Sequence, residues 1–212
     1  MVIVFGSQKG GCGKTTGAIN LAVKLSLAGK DVVLVDADPQ ASAANWVQSR
    51  VENNGSQINC IQRHGNISNT LLDLKKRYEY VIVDVSGHDS HELRSSMMAA
   101  EILVIPFKPS QFDLETLPHM TEVIDQASIF NTNLKVYGLL NMAPTNPVIN
   151  EAEDAMTYLK DFPEIVPLQT VICERKAYRD ATIEGKGVIE LKNDKAIQEI
   201  NDLTKELLGD KI

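Results

Sequence analysis

The sequence predicts a single α/β domain, residues 1–212, built on a doubly wound, mainly parallel sheet with helices on both faces. Three observations predict this fold class. The chain has 212 residues, which is enough for one such domain and too few for two of ordinary size. Short apolar runs alternate with segments of helical length, as in strand–helix–strand units. The runs are apolar throughout, as expected for strands that are covered on both faces of a sheet.

Five apolar runs rich in β-branched residues are predicted as buried strands. They cover residues 2–5, 32–35, 81–83, 102–105 and 136–140. Apolar residues at helical spacing predict helices over residues 16–27, 67–78, 114–130 and 193–208. Residues 53–56 are predicted as a turn, and residues 141–147, which include two prolines, as a loop.

The composition excludes several classes of protein. The chain has 28 acidic and 21 basic residues and a formal net charge of −7, so binding to DNA would need a local basic patch. Cys12, Cys60 and Cys173 are far apart in the sequence, which excludes a disulfide scaffold or zinc ribbon and fits a reducing cytoplasm. We find no signal peptide and no apolar stretch near the roughly 20 residues of a membrane span. We therefore expect a cytoplasmic protein that does not bind membranes.

The segment between the first strand and the first helix is typical of a phosphate-binding loop. Residues 7–16 read Ser-Gln-Lys-Gly-Gly-Cys-Gly-Lys-Thr-Thr. Glycines let backbone N–H groups converge on a phosphate, and the helix N-terminus adds its dipole. Lys14 is expected to reach the β- and γ-phosphates of a nucleotide, and Thr15 to hold Mg²⁺. The predicted nucleotide-binding residues of the loop are Gly10, Gly11, Cys12, Gly13, Lys14, Thr15 and Thr16.

Carboxylates follow two of the predicted strands. Asp36 and Asp38 are two residues apart, so their side chains would point the same way if the strand continued through them. Asp84 ends another apolar strand and can hold Mg²⁺ through its water shell. Gly87 comes three residues later, where a backbone N–H can contact the γ-phosphate and respond to its loss. His88 and His91 have the spacing of a metal pair, but no third ligand of suitable spacing is nearby, so a polar loop is the preferred interpretation.

The loop resembles the deviant Walker A motif of the ParA/MinD ATPases. Gln8 stands where the strict GxxxxGK(S/T) pattern has its first glycine, and Lys9 follows it as a second lysine. In that family the first lysine crosses a dimer interface to the partner's nucleotide, like an arginine finger supplied in trans. The resemblance therefore implies a P-loop NTPase fold, ATP and Mg²⁺ as cofactors, and a homodimer that forms on ATP binding.

The resemblance extends over residues 2–40, 80–112 and 136–188. Residues 36–40, Asp-Ala-Asp-Pro-Gln, look like the switch I signature of ParA proteins, which implies that Asp38 orients the attacking water and contributes to the metal shell. Val85 and Ser86 depart from the Thr-Pro that most relatives carry after the acid. Asn141 matches the position of an adenine-contacting amide in the family, and a turn residue is the open alternative. The implied catalytic residues are Lys9, Lys14 and Asp38, and the implied metal residues are Thr15, Asp38 and Asp84.

A late segment is locally basic and is similar to a ParA motif that contributes to sequence-independent DNA binding. Residues 175–195 contain six basic and four acidic residues. The candidate DNA-binding residues are Arg175, Lys176, Arg179 and Lys186. The alternative is a solvated helix face whose charges have no function.

The resemblance implies a ParA-type partition ATPase with Mg-dependent ATP hydrolysis. In this hypothesis, ATP drives dimerisation and nonspecific binding to nucleoid DNA, and a ParB-like centromere-binding adaptor stimulates slow hydrolysis, so that plasmid or chromosomal DNA is segregated. A MinD-like membrane-associated ATPase, or one that positions another cargo, is the alternative. Residues 203–212 do not form the strongly basic amphipathic segment that membrane binding would need. Two other classes of P-loop protein fit the sequence less well. An iron-protein-like reductase needs paired cysteines for its cluster, which Cys60 and Cys173 do not match. A dethiobiotin-synthetase-like ligase has no use for Lys9.

Overall fold

The computed structural model describes residues 1–146 and 151–209 of the chain. Within these residues, seven strands form one sheet, and every pair of neighbours is parallel. The strands are β1 (Val2–Phe5), β2 (Val32–Ala37), β3 (Asn59–Gln62), β4 (Tyr80–Val85), β5 (Ile102–Phe107), β6 (Lys135–Ala143) and β7 (Val166–Cys173). Their order across the sheet is β3-β2-β4-β1-β5-β6-β7. The predicted doubly wound parallel sheet is therefore confirmed.

Helices cover both faces of the sheet. They are α1 (Lys14–Leu27), α2 (Ser42–Glu52), α3 (Ser68–Lys75), α4 (His91–Met97), α5 (Gln111–Leu114), α6 (Leu117–Ser128), α7 (Glu151–Leu159), α8 (Lys176–Ile183) and α9 (Asp194–Leu208). One core packs α3, α4, α6 and α7 against the sheet, and the other packs α1, α2, α8 and α9 against its opposite face. The β-branched residues of β1, β2, β4 and β5 are almost fully buried in these two cores. Among the described residues, none of the helices has the combined length and apolarity of a membrane span.

The structure corrects two predicted elements. The helix predicted over residues 114–130 is broken, because α5 ends at Leu114 and a new helix begins at Leu117 with Pro118 in its first turn. Asn141 lies inside β6, which ends at Ala143, and not in a loop. Pro147, the end of that predicted loop, and residues 210–212 of the C-terminal segment lie outside the described residues.

Arg50 joins α2 to the segment between α8 and α9. Its side chain is almost fully buried, and it donates to the backbone carbonyls of Ser56 (2.7 Å) and Gly185 (3.0 Å). It also donates to both carboxylate oxygens of Glu190, at 2.7 and 2.9 Å. A buried charge with this many partners fixes α2 against residues 185–190.

The parallel sheet decides where a ligand can bind. Because all the strands run the same way, the loops that follow β1, β2, β4, β6 and β7 meet at the carboxyl edge of the sheet. β2 and β4 are neighbours in this sheet, and their register places Asp36 opposite Asp84. The residues predicted from separate motifs therefore come together at one edge.

Candidate functional site

The loop between β1 and α1 presents the N-terminus of α1 to solvent. Gly13 precedes this helix with a φ of 95°, and no side chain of the described residues caps the first turn. The first N–H groups of the helix are thus available to an anion. A Cβ atom at Gly13 would lie 2.0 Å from Nδ2 of Asn141. Both the positive φ and this close approach require glycine at the position.

The second lysine of the loop is held inside it. Lys14 is buried, and its Nζ donates to the backbone carbonyl of Lys9 at 2.9 Å and to Oγ of Ser7 at 3.4 Å. The Cys12 thiol is fully buried beneath the loop, with its Sγ 3.0 Å from Oγ of Ser7. The loop therefore positions the Lys14 ammonium through its own backbone, and Cys12 packs as part of its interior.

Lys9 points away from the loop. Its Nζ lies 5.6 Å from the ring centroid of Phe112, and that ring is 72% exposed. This distance is within the range of a cation–π contact. Lys9 is not among the residues that line the cavity over the loop. The structure thus places Lys9 on the surface next to the loop.

Asp36 is a structural carboxylate. It is fully buried, and its two oxygens accept the backbone N–H groups of Asp38 (3.1 Å) and Ala44 (2.8 Å). Because β2 ends at Ala37, the condition for Asp36 and Asp38 to point the same way is not met. Asp38 instead lines the cavity over the loop, where one of its oxygens also accepts the N–H of Gln40 at 2.9 Å.

Asp84 is buried and unsatisfied. Neither of its oxygens has a hydrogen-bond partner among the described residues. Burial raises the pKa of Asp84 to about 7, although the Thr15 hydroxyl and the Lys14 ammonium favour its charged form. An orphaned carboxylate beside a hydroxyl is a donor set that fits a hydrated Mg²⁺. The predicted metal residues Thr15 and Asp84 are therefore neighbours, and Asp38 faces the same cavity.

The segment after β4 touches the phosphate-binding loop. A Cβ atom at Gly87 would lie 2.7 Å from the backbone of Gly10, so only glycine permits this approach. The hydroxyl of Ser86 is buried and has no partner in the described part of the chain. Gly87 thus lines the cavity over the loop, and its contact with a γ-phosphate stays a prediction.

Two adjoining cavities lie at the carboxyl edge of the sheet. The first, of about 290 Å³, lies over the phosphate-binding loop. The second, of about 320 Å³, lies between α8 and the ends of β6 and β7, and it shares Thr16 and Met142 with the first. Its lining also includes Asn141, Cys173, Glu174, Arg175, Tyr178, Arg179, Thr182 and Ile183. A loop for phosphates beside a largely apolar cavity is the arrangement that a nucleotide requires.

Sequence reasoning missed most of the second cavity. Met142, at a φ of 54°, and Tyr178 had no predicted role. These residues could have been predicted from their positions at the ends of strands, because the carboxyl ends of neighbouring parallel strands lie at one edge of the sheet. That signal requires β7, which the sequence pattern did not predict.

Asn141 connects the two cavities. Its Nδ2 donates to the backbone carbonyl of Cys12 at 2.7 Å, and its Oδ1 accepts the N–H of Met142 at 2.9 Å. The amide therefore holds the phosphate-binding loop while it lines the second cavity. Its contact with a base stays a prediction.

The four candidate DNA-binding residues differ in their surroundings. Arg175 lies in the wall of the second cavity, where it donates to Oε1 of Glu199 at 2.8 and 2.7 Å, and its side chain is 19% exposed. The other three are more exposed, and each is paired with an acid. The pairs are Lys176–Asp180 (3.1 Å), Arg179–Glu174 (3.3 Å) and Lys186–Glu184 (2.8 Å).

Comparison with known proteins identifies a family and a fold. The profile of the family described as CobQ/CobB/MinD/ParA nucleotide binding domain matches residues 3–188. Maintenance of carboxysome distribution protein A of Halothiobacillus neapolitanus is 29% identical over 204 residues, covering 94% of this chain and 93% of that protein. Two solved structures show the same fold. One is an ATP complex of a Cyanothece McdA variant (TM-score 0.76, 20% identity, covering 100% of this chain and 97% of that one). The other is the septum site-determining protein MinD of Pyrococcus horikoshii OT3 with Mg-ADP (TM-score 0.76, 22% identity, 99% and 96%). The prediction of ATP and Mg²⁺ agrees with the ligands of these neighbours.

Proposed function

Because the chain belongs to the CobQ/CobB/MinD/ParA nucleotide-binding family, we propose that it is a ParA-type ATPase that alternates between a monomer and an ATP-bound dimer. The observation that carries this proposal is the position of Lys9. Its side chain lies on the surface over Phe112, outside its own phosphate cavity. A lysine in that position is free to reach the nucleotide of a second copy.

Each part of the site has a role in nucleotide binding. The loop and Lys14 bind the phosphates, and the cavity between α8 and the ends of β6 and β7 receives the base. Thr15, Asp84 and Asp38 are the residues that would hold Mg²⁺. The ion, when bound, neutralises charge on the β- and γ-phosphate oxygens. Asp38 orients the attacking water at the γ-phosphate.

Slow hydrolysis is the expected behaviour of a single chain. Its phosphate cavity is lined by the carboxylate of Asp38, which can position water, while the cation that stabilises the transition state comes from the partner through Lys9. Gly87, in contact with Gly10 beside the phosphates, responds to loss of the γ-phosphate. ATP binding thus favours the dimer, and hydrolysis returns the monomers.

We propose DNA partition as the process that this switch drives. Lys176, Arg179 and Lys186 lie on and after α8, where DNA phosphates would take the place of the acids that now pair with them, and dimerisation doubles this set of cations. Contacts from such side chains to DNA phosphates are independent of sequence and sensitive to salt. The dimer would bind the nucleoid, and a ParB-like adaptor would provide the link to plasmid or chromosomal DNA. A second candidate, the positioning of a protein cargo, is favoured by the carboxysome-distribution relative.

The decisive experiment measures dimerisation and DNA binding together. Sedimentation of the wild type is measured in three samples: with ATP and Mg²⁺, with ADP, and without nucleotide. A dimer should form only in the sample with ATP and Mg²⁺. Lys9→Ala should bind ATP and stay monomeric, whereas Lys160→Ala, which removes an exposed lysine after α7, should behave like the wild type. DNA of random sequence should bind in the ATP state, more weakly as salt increases. A wild type that stays monomeric at saturating ATP would refute the switch, and binding to anionic liposomes in place of DNA would favour a MinD-like function.

A further inference from the structure

The end of β6 reaches across its neighbour to the phosphate-binding loop. In the order of the sheet, β5 lies between β1 and β6. Phe107, the last residue of β5, pairs with Leu140, and β6 continues beyond that pair to Ala143. Asn141 is the first residue of this overhang. Its side chain therefore passes over the end of β5 and meets the loop that follows β1.

A local irregularity of β6 fixes the direction of the Asn141 side chain. The register of β6 with β7 shifts between Leu140 and Ala143, and Met142, which lies between them, has a φ of 54°. A left-handed φ is unfavourable for methionine and persists where the surrounding structure holds it. Here Oδ1 of Asn141 accepts the N–H of Met142 at 2.9 Å. Irregularities of this kind re-aim a side chain beside a functional site.

The Asn141 amide is bonded to the loop where the anion site begins. Asn141 is buried, and its Nδ2 donates to the backbone carbonyl of Cys12 at 2.7 Å. The same Nδ2 lies so close to Gly13 that a Cβ atom there would overlap with it. Because Gly13 directly precedes α1, this bond fixes the backbone that leads into the exposed N–H groups of the helix. The contribution of the amide to anion binding therefore passes through the loop.

We propose that Asn141 is a positioning residue of the phosphate-binding loop and sets the affinity for the triphosphate chain, whatever base is attached to it. Without the amide, the carbonyl of Cys12 would lose its donor, and the loop would relax from the conformation that binds phosphates. An amide that instead reads the edge of adenine would affect only ligands that carry that base. The effect on nucleotide affinity rests on the proposed function, whereas the hold on the loop does not.

The first test compares ATP, inosine triphosphate and inorganic tripolyphosphate, which has no base. Titration calorimetry with Mg²⁺ measures their binding to the wild type and to Asn141→Ala. Loss of one buried hydrogen bond to the loop should weaken the binding of all three about tenfold. The matched control is Asn131→Ala, at the amino edge of the sheet. Nδ2 of Asn131 donates to the carbonyls of Met97 (2.8 Å) and Ala100 (2.7 Å), so the control removes comparable bonds and should leave the three affinities unchanged.

The second test needs no nucleotide. The Cys12 thiol is fully buried under the loop whose backbone Asn141 holds, so its reaction with a maleimide reports how often the loop opens. In chains that carry Cys60→Ser and Cys173→Ser, adding Asn141→Ala should raise the rate of this reaction about tenfold, because the lost bond stabilises the closed loop. Adding Asn131→Ala in its place should leave the rate unchanged.

The outcomes distinguish the loop from the base and from general destabilisation. If Asn141→Ala bound ATP more weakly but tripolyphosphate as well as the wild type does, the amide would act on the base and the proposal would be overturned. An unchanged rate of Cys12 modification, or equal effects of Asn131→Ala, would also overturn it. A wild type that binds neither ATP nor tripolyphosphate would refute the proposed function and the effect on affinity with it, while faster modification of Cys12 in Asn141→Ala would still support the hold on the loop.

Discussion

Replacing Asp84 with asparagine should make the nucleotide-free protein more stable and remove its response to Mg²⁺ and ATP. The carboxylate is fully buried, and neither oxygen has a hydrogen-bond partner in the described part of the chain. Burial is the main cause that raises its pKa from 3.8 to about 7. At neutral pH or above, the folded chain therefore holds a charge that the unfolded chain would solvate better.

The magnitude follows from that pKa. One pKa unit corresponds to about 1.4 kcal/mol, so the raised pKa corresponds to about 4 kcal/mol of lost stability above pH 7. The amide that replaces the carboxylate would still be buried and polar, so we expect Asp84→Asn to recover about half, about 2 kcal/mol. In a chain of this size that is a rise of about 4–8 °C in Tm.

The assay is thermal unfolding at pH 8, first with EDTA and then with Mg²⁺ and ATP. Asp36→Asn is the matched control, because Asp36 lies opposite Asp84 on the neighbouring strand and is equally buried. Its two oxygens accept backbone N–H groups, so the asparagine would turn its NH₂ group towards one of these donors. We expect Asp36→Asn to lose about 2 kcal/mol. If Asp84→Asn melts at or below the wild-type temperature in EDTA, the description of Asp84 as an uncompensated charge is wrong.

Four further predictions concern other parts of the molecule. Glu190 is partly buried, which by itself would raise its pKa, but its bonds to Arg50 hold that pKa below the usual value. Glu190→Gln should therefore lower Tm at pH 7, and the difference from the wild type should shrink on acidification through the carboxylate range; a pH-independent difference would contradict this. Alkylation of Cys12, in a variant whose other two cysteines are serine, should abolish nucleotide binding because the buried thiol packs under the loop, and bound nucleotide should protect it. Modification that leaves ATP affinity unchanged would contradict that packing. Lys14→Ala should lose ATP affinity in equilibrium dialysis, whereas Asp38→Ala should bind ATP, accumulate as a dimer and not hydrolyse it; turnover at the wild-type rate would exclude Asp38 from the reaction.

The central strands were predictable from the sequence because their burial is complete. β1, β2, β4 and β5 are buried along nearly their whole length, so nearly every position is apolar and the pattern is clear. The edge strands are different. β3 is partly exposed throughout, and β7 alternates between buried and exposed residues and contains Pro167. Such patterns resemble loops, so both strands were missed.

The candidate site was predictable where a motif is local and not where it depends on distant contacts. The glycines and lysines of the loop are close together in the sequence, so the adjoining strand and helix predict a phosphate-binding loop, while the role of Lys9 comes from the family resemblance and stays a prediction. Asn141 binds the carbonyl of Cys12, 129 residues away in sequence, and no local pattern reveals that contact. Asp36 and Asp84 occupy similar positions at the ends of apolar strands. Only the folded turn shows that Asp36 accepts from the N–H groups of Asp38 and Ala44, whereas Asp84 has no hydrogen-bond partner among the described residues.

The buried side chain of Arg50 has a mechanical consequence. α2 begins four residues after Asp38, so a displacement of the segment around Asp38 would be transmitted to that helix. Arg50 anchors α2 to Gly185 and Glu190. If α2 moved alone, the buried guanidinium would lose its hydrogen-bond partners, which would cost about 3–5 kcal/mol of stability. Lys186 lies between those two anchor points and must travel with them. A displacement of the segment after Asp38 would therefore be accompanied by a displacement of Lys186.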